Sequence, residues 1–121
     1  MAVRGVRGAT SVPSNDRRTI LEATRTLLST ALKTNDILPD DIAAIMFAVT
    51  PDLDKAFPAA AAREMGLTNV PLLDFASPAV EEAMPRVIRM LLLWNTDRAQ
   101  EQIRHVYLGD AEALRPDLVR V

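Results

Sequence analysis

The run Ile42-Ala43-Ala44-Ile45-Met46-Phe47-Ala48-Val49 contains no polar side chain, and it constrains the fold more than any other segment. Pro39-Asp40-Asp41 precedes it as a short helical turn, and Thr50-Pro51-Asp52-Leu53-Asp54 follows it as a turn or loop. An apolar run of this length between turn signals suits a strand covered on both faces, placed centrally in a sheet. Residues 3–12 read as a valine-rich strand in which Gly5 and Gly8 flank Arg7. Glycine inside a strand often marks a close approach to the backbone, here by a substrate or another chain. Ser14 or Asn15 can cap a helix whose Ile20, Thr24, Leu27, Leu28, Ala31 and Leu32 recur at helical spacing, ending near Lys33 to Asn35. Pro58 suits the first turn of a second helix through Ala59–Met65, with Phe57 at its start and Gly66 to stop it.

Val70 to Phe75 reads as a third strand, ended by Ala76-Ser77-Pro78 because a residue before proline is held extended or in a turn. Arg86 to Trp94 and Arg104 to Leu108 supply two more, with a short helix in the tail from Gly109. Strands and helices alternate early and strands pair late, so the fold expected is α/β (α+β), a mixed five-stranded sheet with helices on one side. Such a sheet leaves one apolar face uncovered. A symmetric homo-oligomer would cover it and could build sites where subunits meet.

Length and charge narrow the function. A chain of 121 residues, 49% hydrophobic, is expected to form a single domain over 1–121. There is no uncharged apolar stretch long enough for a bilayer and no signal-like segment, so a cytoplasmic protein with no membrane partner is expected. With no cysteine and one histidine, neither thiolate chemistry nor a zinc site is expected. A net charge of −2 argues against a nucleic-acid surface, so any positive site is local.

Three segments put single arginines among apolar neighbours: Val3-Arg4-Gly5-Val6-Arg7-Gly8-Ala9-Thr10, Val87-Ile88-Arg89, and Arg104-His105-Val106-Tyr107-Leu108. Guanidinium groups are costly to bury without an anionic partner. In a regular strand Arg89 shares a face with Val87, Leu91 and Leu93; it either points into that apolar environment or snorkels to the surface. The surface reading also applies to Arg7, weakened by its glycines. His105 reads as a surface or hydrogen-bonded structural histidine, because no nucleophile motif accompanies it. Asp40, Asp41, Asp52 and Asp54 suit caps and turns, and Met46, Met84 and Met90 suit packing.

These segments, with Ala48-Val49-Thr50-Pro51-Asp52-Leu53, Ala56-Phe57-Pro58-Ala59 and Leu114-Arg115-Pro116-Asp117-Leu118, resemble monofunctional chorismate mutases of the AroH class over nearly the whole chain. The resemblance implies a homotrimer with each active site between neighbouring subunits, in the shikimate pathway of aromatic amino-acid biosynthesis. It also implies an isomerase that rearranges chorismate to prephenate. That pericyclic step needs no nucleophile, proton transfer, metal or cofactor; it needs a compact conformer and stabilisation of separating charge, which arginines provide. By resemblance Arg89 faces the breaking ether oxygen, Arg7 is a carboxylate and ether-side ligand, and Tyr107 hydrogen-bonds a carboxylate. Phe57, Ala59, Leu72 and Leu73 line the pocket, Arg63 is a carboxylate-side cation, and Leu114 and Arg115 close the site.

Two positions depart from the family pattern. Ser77 stands where relatives have a glutamate that binds the substrate's ring hydroxyl and orients the arginine, and Ala60 stands where many carry lysine. Asp74 is therefore expected to supply the missing carboxylate, if the Ser77-Pro78 break lets residues 74 and 77 approach one pocket; Glu81 and Glu82 are weaker substitutes. The alternative function is a non-catalytic trimeric sensor or regulator that binds a dicarboxylate. An imine deaminase that holds a carboxylate with arginine is a third reading, disfavoured by motif order.

Overall fold

The structure, a computed structural model, describes residues 1–118; positions 119–121 of the expected domain lie outside the described residues. Five strands form one sheet: β1 (Ala2–Ser11), β2 (Ile42–Val49), β3 (Leu72–Ala76), β4 (Val87–Thr96) and β5 (Val106–Leu108), in the order β3-β2-β4-β1-β5. The pairs β1/β4 and β2/β4 are antiparallel, while β1/β5 and β2/β3 are parallel. Two helices, α1 (Arg17–Asn35) and α2 (Pro58–Glu64), lie on one side, and 3-10 turns occur at Pro39–Asp41, Gln100–Gln102, Gly109–Leu114 and Pro116–Leu118. The mixed sheet with helices on one side is the architecture the sequence implies.

Helix α1 forms because its apolar residues recur on one face: Ile20, Leu21, Thr24, Leu27, Leu28, Ala31 and Asn35 are buried. Its N-cap is Asp16 and not Ser14 or Asn15. The Asp16 carboxylate accepts the Thr19 N–H at 2.9 Å and the Thr19 hydroxyl at 2.8 Å, while Ser14 donates to it at 2.6 Å. The Ser14 and Thr19 bonds hold the Asp16 carboxyl below its ordinary range. Helix α2 starts at Pro58, and Gly66 ends the segment at φ 91°, a conformation open to glycine.

Helices and sheet enclose one core of Val6, Ile20, Leu27, Leu28, Ile45, Phe47, Ile88, Leu92 and Trp94. The chain's own packing already crowds both glycines. A Cβ on Gly8 would meet Met90 Cε at 3.0 Å and Leu27 Cδ1 at 3.2 Å, and one on Gly5 would meet Leu91 Cδ1 at 3.3 Å. Within one chain, what approaches Gly8 is the packing of Met90 and Leu27 on the helix side, and what approaches Gly5 is Leu91 on the open face.

Two further expectations change. The middle strand is β4, not the apolar run of β2, which lies second from the edge and is fully buried only at Ile42, Ile45 and Phe47. Strand β5 begins at Val106 and not at Arg104, because Arg104 N–H donates to Asn35 Oδ1 and its carbonyl accepts from Asn35 Nδ2, each at 2.9 Å. Strands β3 and β4 run from Leu72 and Val87, each slightly later in the chain than the sequence suggests.

Candidate active site

The side of the sheet without α-helices carries Arg7, Arg89 and Tyr107, three of the expected site residues. Strand register places Tyr107, Ala9, Arg89, Ala48 and Phe75 in a single row across all five strands, and Arg7, Leu91, Met46 and Leu73 in the next. Alternation sends all of these side chains to the open face. Arg89 stands between two alanines in this row; it is exposed and has no hydrogen-bond or ion-pair partner among the described residues. Arg7 is exposed as well.

One end of this row is walled. Ala9, Val87 and Ala111 form a small buried cluster, with Met84, Tyr107 and Leu114 packed against it. The tail is fixed there by Ser11, whose Oγ accepts the Asp110 N–H at 2.9 Å. Gly109 allows the approach: it adopts φ 58°, and a Cβ on it would sit 2.5 Å from Ser11 Oγ. Arg115 then donates to both carboxylate oxygens of Asp117, at 3.1 and 2.9 Å. That pairing raises the Arg115 pKa, with a smaller contribution from nearby Tyr107; it lowers the Asp117 pKa, to which the Arg7 charge also contributes.

The remaining expected residues form a second group. Phe57, at the N-terminus of α2, is 69% exposed; Ala59 is buried and Arg63 exposed on the same helix. Ala59 N–H donates to Asp74 Oδ1 at 3.1 Å. Burial raises the Asp74 pKa, against the opposing effects of that hydrogen bond and of Arg63. Phe57, Ala60 and Asp74 share an open pocket of about 460 Å³ with Arg17, Lys55 and Phe75. Leu72 packs against the main core, whereas Leu73 is 55% exposed on the open face.

The two groups do not meet within one chain. Strands β2 and β4 separate β3 from β1, roughly 14 Å at ordinary strand spacing, and Asp74 lies on the helix side of β3 while Arg89 lies on the open side of β4. The Ser77-Pro78 break does not merge them. Ser77 N–H still donates to the Val49 carbonyl at 2.8 Å, so pairing and alternation persist, with Asp74 and Ser77 on opposite faces. Ser77 Oγ is buried with no hydrogen-bond partner among the described residues. Asp52 is already engaged, accepting the Arg86 N–H at 3.0 and 3.2 Å and thereby pinning the 77–86 loop.

The walling residues Ala9, Val87 and Ala111 were not identifiable from sequence, since small apolar side chains carry no chemical signature. Met84 was visible only as a packing residue, which it also is. The parity of Ala9 and Arg89 across β1 and β4 was the available signal.

The profile of the family described as chorismate mutase type I matches residues 3–118. The chain belongs to the type I chorismate mutase family. It is 50% identical over 117 residues to the chorismate mutase AroH of Thermus thermophilus, covering 96% of each chain. It is 40% identical over 119 residues to the chorismate mutase AroH of Bacillus subtilis (strain 168), covering 98% of this chain and 94% of that one. A solved chorismate mutase from Clostridium thermocellum superposes with a TM-score of 0.89 at 40% identity, covering 90% of this chain and 97% of the other. The chorismate mutase fold therefore accounts for the sheet order and for the helix-free face.

Proposed function

We infer that the protein rearranges chorismate to prephenate, as a homotrimer whose sites join the two groups of residues from neighbouring subunits. The observation that carries this reading is the Arg89 guanidinium, unpaired among the described residues, between Ala9 and Ala48, with Arg7 and Tyr107 on the same face. The reaction breaks one C–O bond and forms one C–C bond within a single molecule, and negative charge gathers on the ether oxygen as it leaves. A fixed guanidinium at that oxygen acts on the transition state more than on the ground state, which raises turnover and not merely affinity.

Arg7 and Tyr107 bind a carboxylate from the same half of the site, and Leu114 and Arg115 close it. The other half brings Arg63 to the second carboxylate, with Phe57, Ala59, Leu72 and Leu73 holding the compact conformer away from water. Asp74 belongs to this second half, so its carboxylate reaches substrate only in the assembled site, where it compensates for Ser77. The exposed Val3, Leu73, Phe75 and Leu91, each at least 38% accessible in the isolated chain, support a subunit interface on the open face. Membership of the mutase family gives no support to a non-catalytic sensor. Among the described residues, no helix is long and apolar enough to cross a membrane.

Loss of chorismate absorbance, with prephenate confirmed as product and sedimentation run on the same sample, tests the reading. Turnover by a trimer is expected. Saturable chorismate binding without turnover would overturn it, and an Asp74→Asn variant with unchanged kcat and KM would remove Asp74 from the site.

A further inference from the structure

The parallel pairing of β1 with β5 stops one residue short of Arg7. It joins Gly8 to Val106, Ala9 to Tyr107 and Thr10 to Leu108. Continued toward Arg7, the parallel pattern would offer the carbonyl of residue 104 to the Arg7 N–H. That carbonyl instead accepts from Asn35 Nδ2 at 2.9 Å, and Asn35 is fully buried at the end of α1. A side chain fills the gap: Arg7 N–H donates to Nδ1 of His105 at 2.9 Å. Acceptance by Nδ1 requires that nitrogen to be unprotonated, which puts the proton of a neutral ring on Nε2.

This bond falls on the residue whose guanidinium enters the site on the reading above, and it ties the Arg7 main chain to the β5 side, while the ladder with β4 holds the other side. The segment that supplies it also carries Tyr107, whose register partner is Ala9. One three-residue stretch, His105 to Tyr107, therefore sets the Arg7 main chain and the phenol together. Displacement of a substrate-positioning group by a fraction of an ångström is costly in rate.

We propose that His105 is a positioning residue for the mutase reaction: its Nδ1 fixes the Arg7 main chain, and through it the guanidinium that holds the substrate's anionic oxygen. The role rests on the reading of Arg7 given above. His105 acts through Arg7 and does not itself bind substrate.

The test is a set of kcat and KM measurements on trimeric wild type, His105→Leu, His105→Asn, Arg7→Ala and the Arg7→Ala/His105→Leu double variant. The leucine variant should lose about tenfold in kcat/KM. Asparagine, whose Oδ1 can accept the same N–H, should recover to within about threefold of wild type. In the Arg7→Ala background the leucine change should cost nothing further, because the two act as one unit. An equal loss in that background, or asparagine no better than leucine, would overturn the proposal. If Arg7→Ala is impaired while His105→Leu is not, only the positioning role fails; if Arg7→Ala is itself as active as wild type, the reading of Arg7 fails first. Should the leucine variant not fold, the wild-type protein still decides. Nitrogen NMR should show Nδ1 unprotonated and the Arg7 amide slow to exchange, and a fast-exchanging Arg7 amide would refute the bond.

Discussion

The two faces of the sheet are built from alternate residues of the same strands yet meet different ends. Toward the helices point Val6, Ile45, Phe47, Ile88, Met90, Leu92 and Trp94, all buried. Away from them point Arg7, Met46, Ala48, Leu73, Phe75, Arg89 and Leu91, of which Arg7, Leu73, Phe75, Arg89 and Leu91 are exposed in the isolated chain. Hydrophobicity alone does not separate the faces, since Phe47 and Phe75 are both phenylalanine. The partner separates them: one face is completed within the chain, and the other, on the reading proposed here, by a second subunit and a substrate. Guanidinium groups stay affordable on the second face because water hydrates them until an anion arrives.

The sharpest way to break this comparison is to truncate each phenylalanine. Phe47→Ala should destabilise the fold by about 3–5 kcal/mol, the usual cost of emptying a fully buried aromatic site, as read by urea denaturation. Phe75→Ala should leave the protomer fold largely intact and weaken subunit association in sedimentation. Equal protomer destabilisation by both would mean that the open face is not an interface.

Next in size, Arg89→Gln should lower kcat by about 10²–10³-fold with a much smaller change in KM. A parallel loss in both would place Arg89 in ground-state binding alone. Smaller again, Asn35→Ala should cost about 1–3 kcal/mol, because it leaves the Arg104 N–H and carbonyl without their partner; thermal unfolding would show it.

The smallest effect concerns pH. Burial raises the Asp74 pKa, so between its unfolded and folded titrations the native chain binds more protons than the unfolded one, and stability falls as pH rises through that window. Denaturation midpoints across the ordinary aspartate range and just above it should fall less steeply for Asp74→Asn than for wild type. An unchanged slope would assign the pH dependence to other groups.

What was legible in the sequence follows the range of the forces involved. The buried face of α1 could be read because Ile20, Thr24, Leu27, Leu28 and Ala31 repeat every turn, a local signal. Its cap was ambiguous because Ser14, Asn15 and Asp16 are all capping residues, and only the reach to Thr19 selected Asp16. Arg104 and His105 read as strand because their apolar neighbours do, yet Asn35, distant in sequence, takes the Arg104 backbone for itself. The place of β2 in the sheet was hidden for a related reason: an apolar run reports cover on both faces, not which strands lie beside it. For the site, family resemblance identified Arg7, Arg89 and Tyr107 as a set, but their separation from Phe57, Arg63 and Asp74 emerges only from strand alternation and sheet order.

Sheet order also bears on how the protein is made. Strand β1 pairs only with β4 and β5, both of which leave the ribosome after α1, β2, α2 and β3. Throughout that interval its valines have no ladder to join, and an unpaired strand is an invitation to aggregation. Arg4 and Arg7 sit within it as charges that disfavour such pairing. On the reading proposed here, the Arg7 guanidinium that would meet substrate is also a charge that disfavours off-pathway pairing of β1 until β4 and β5 have been synthesised.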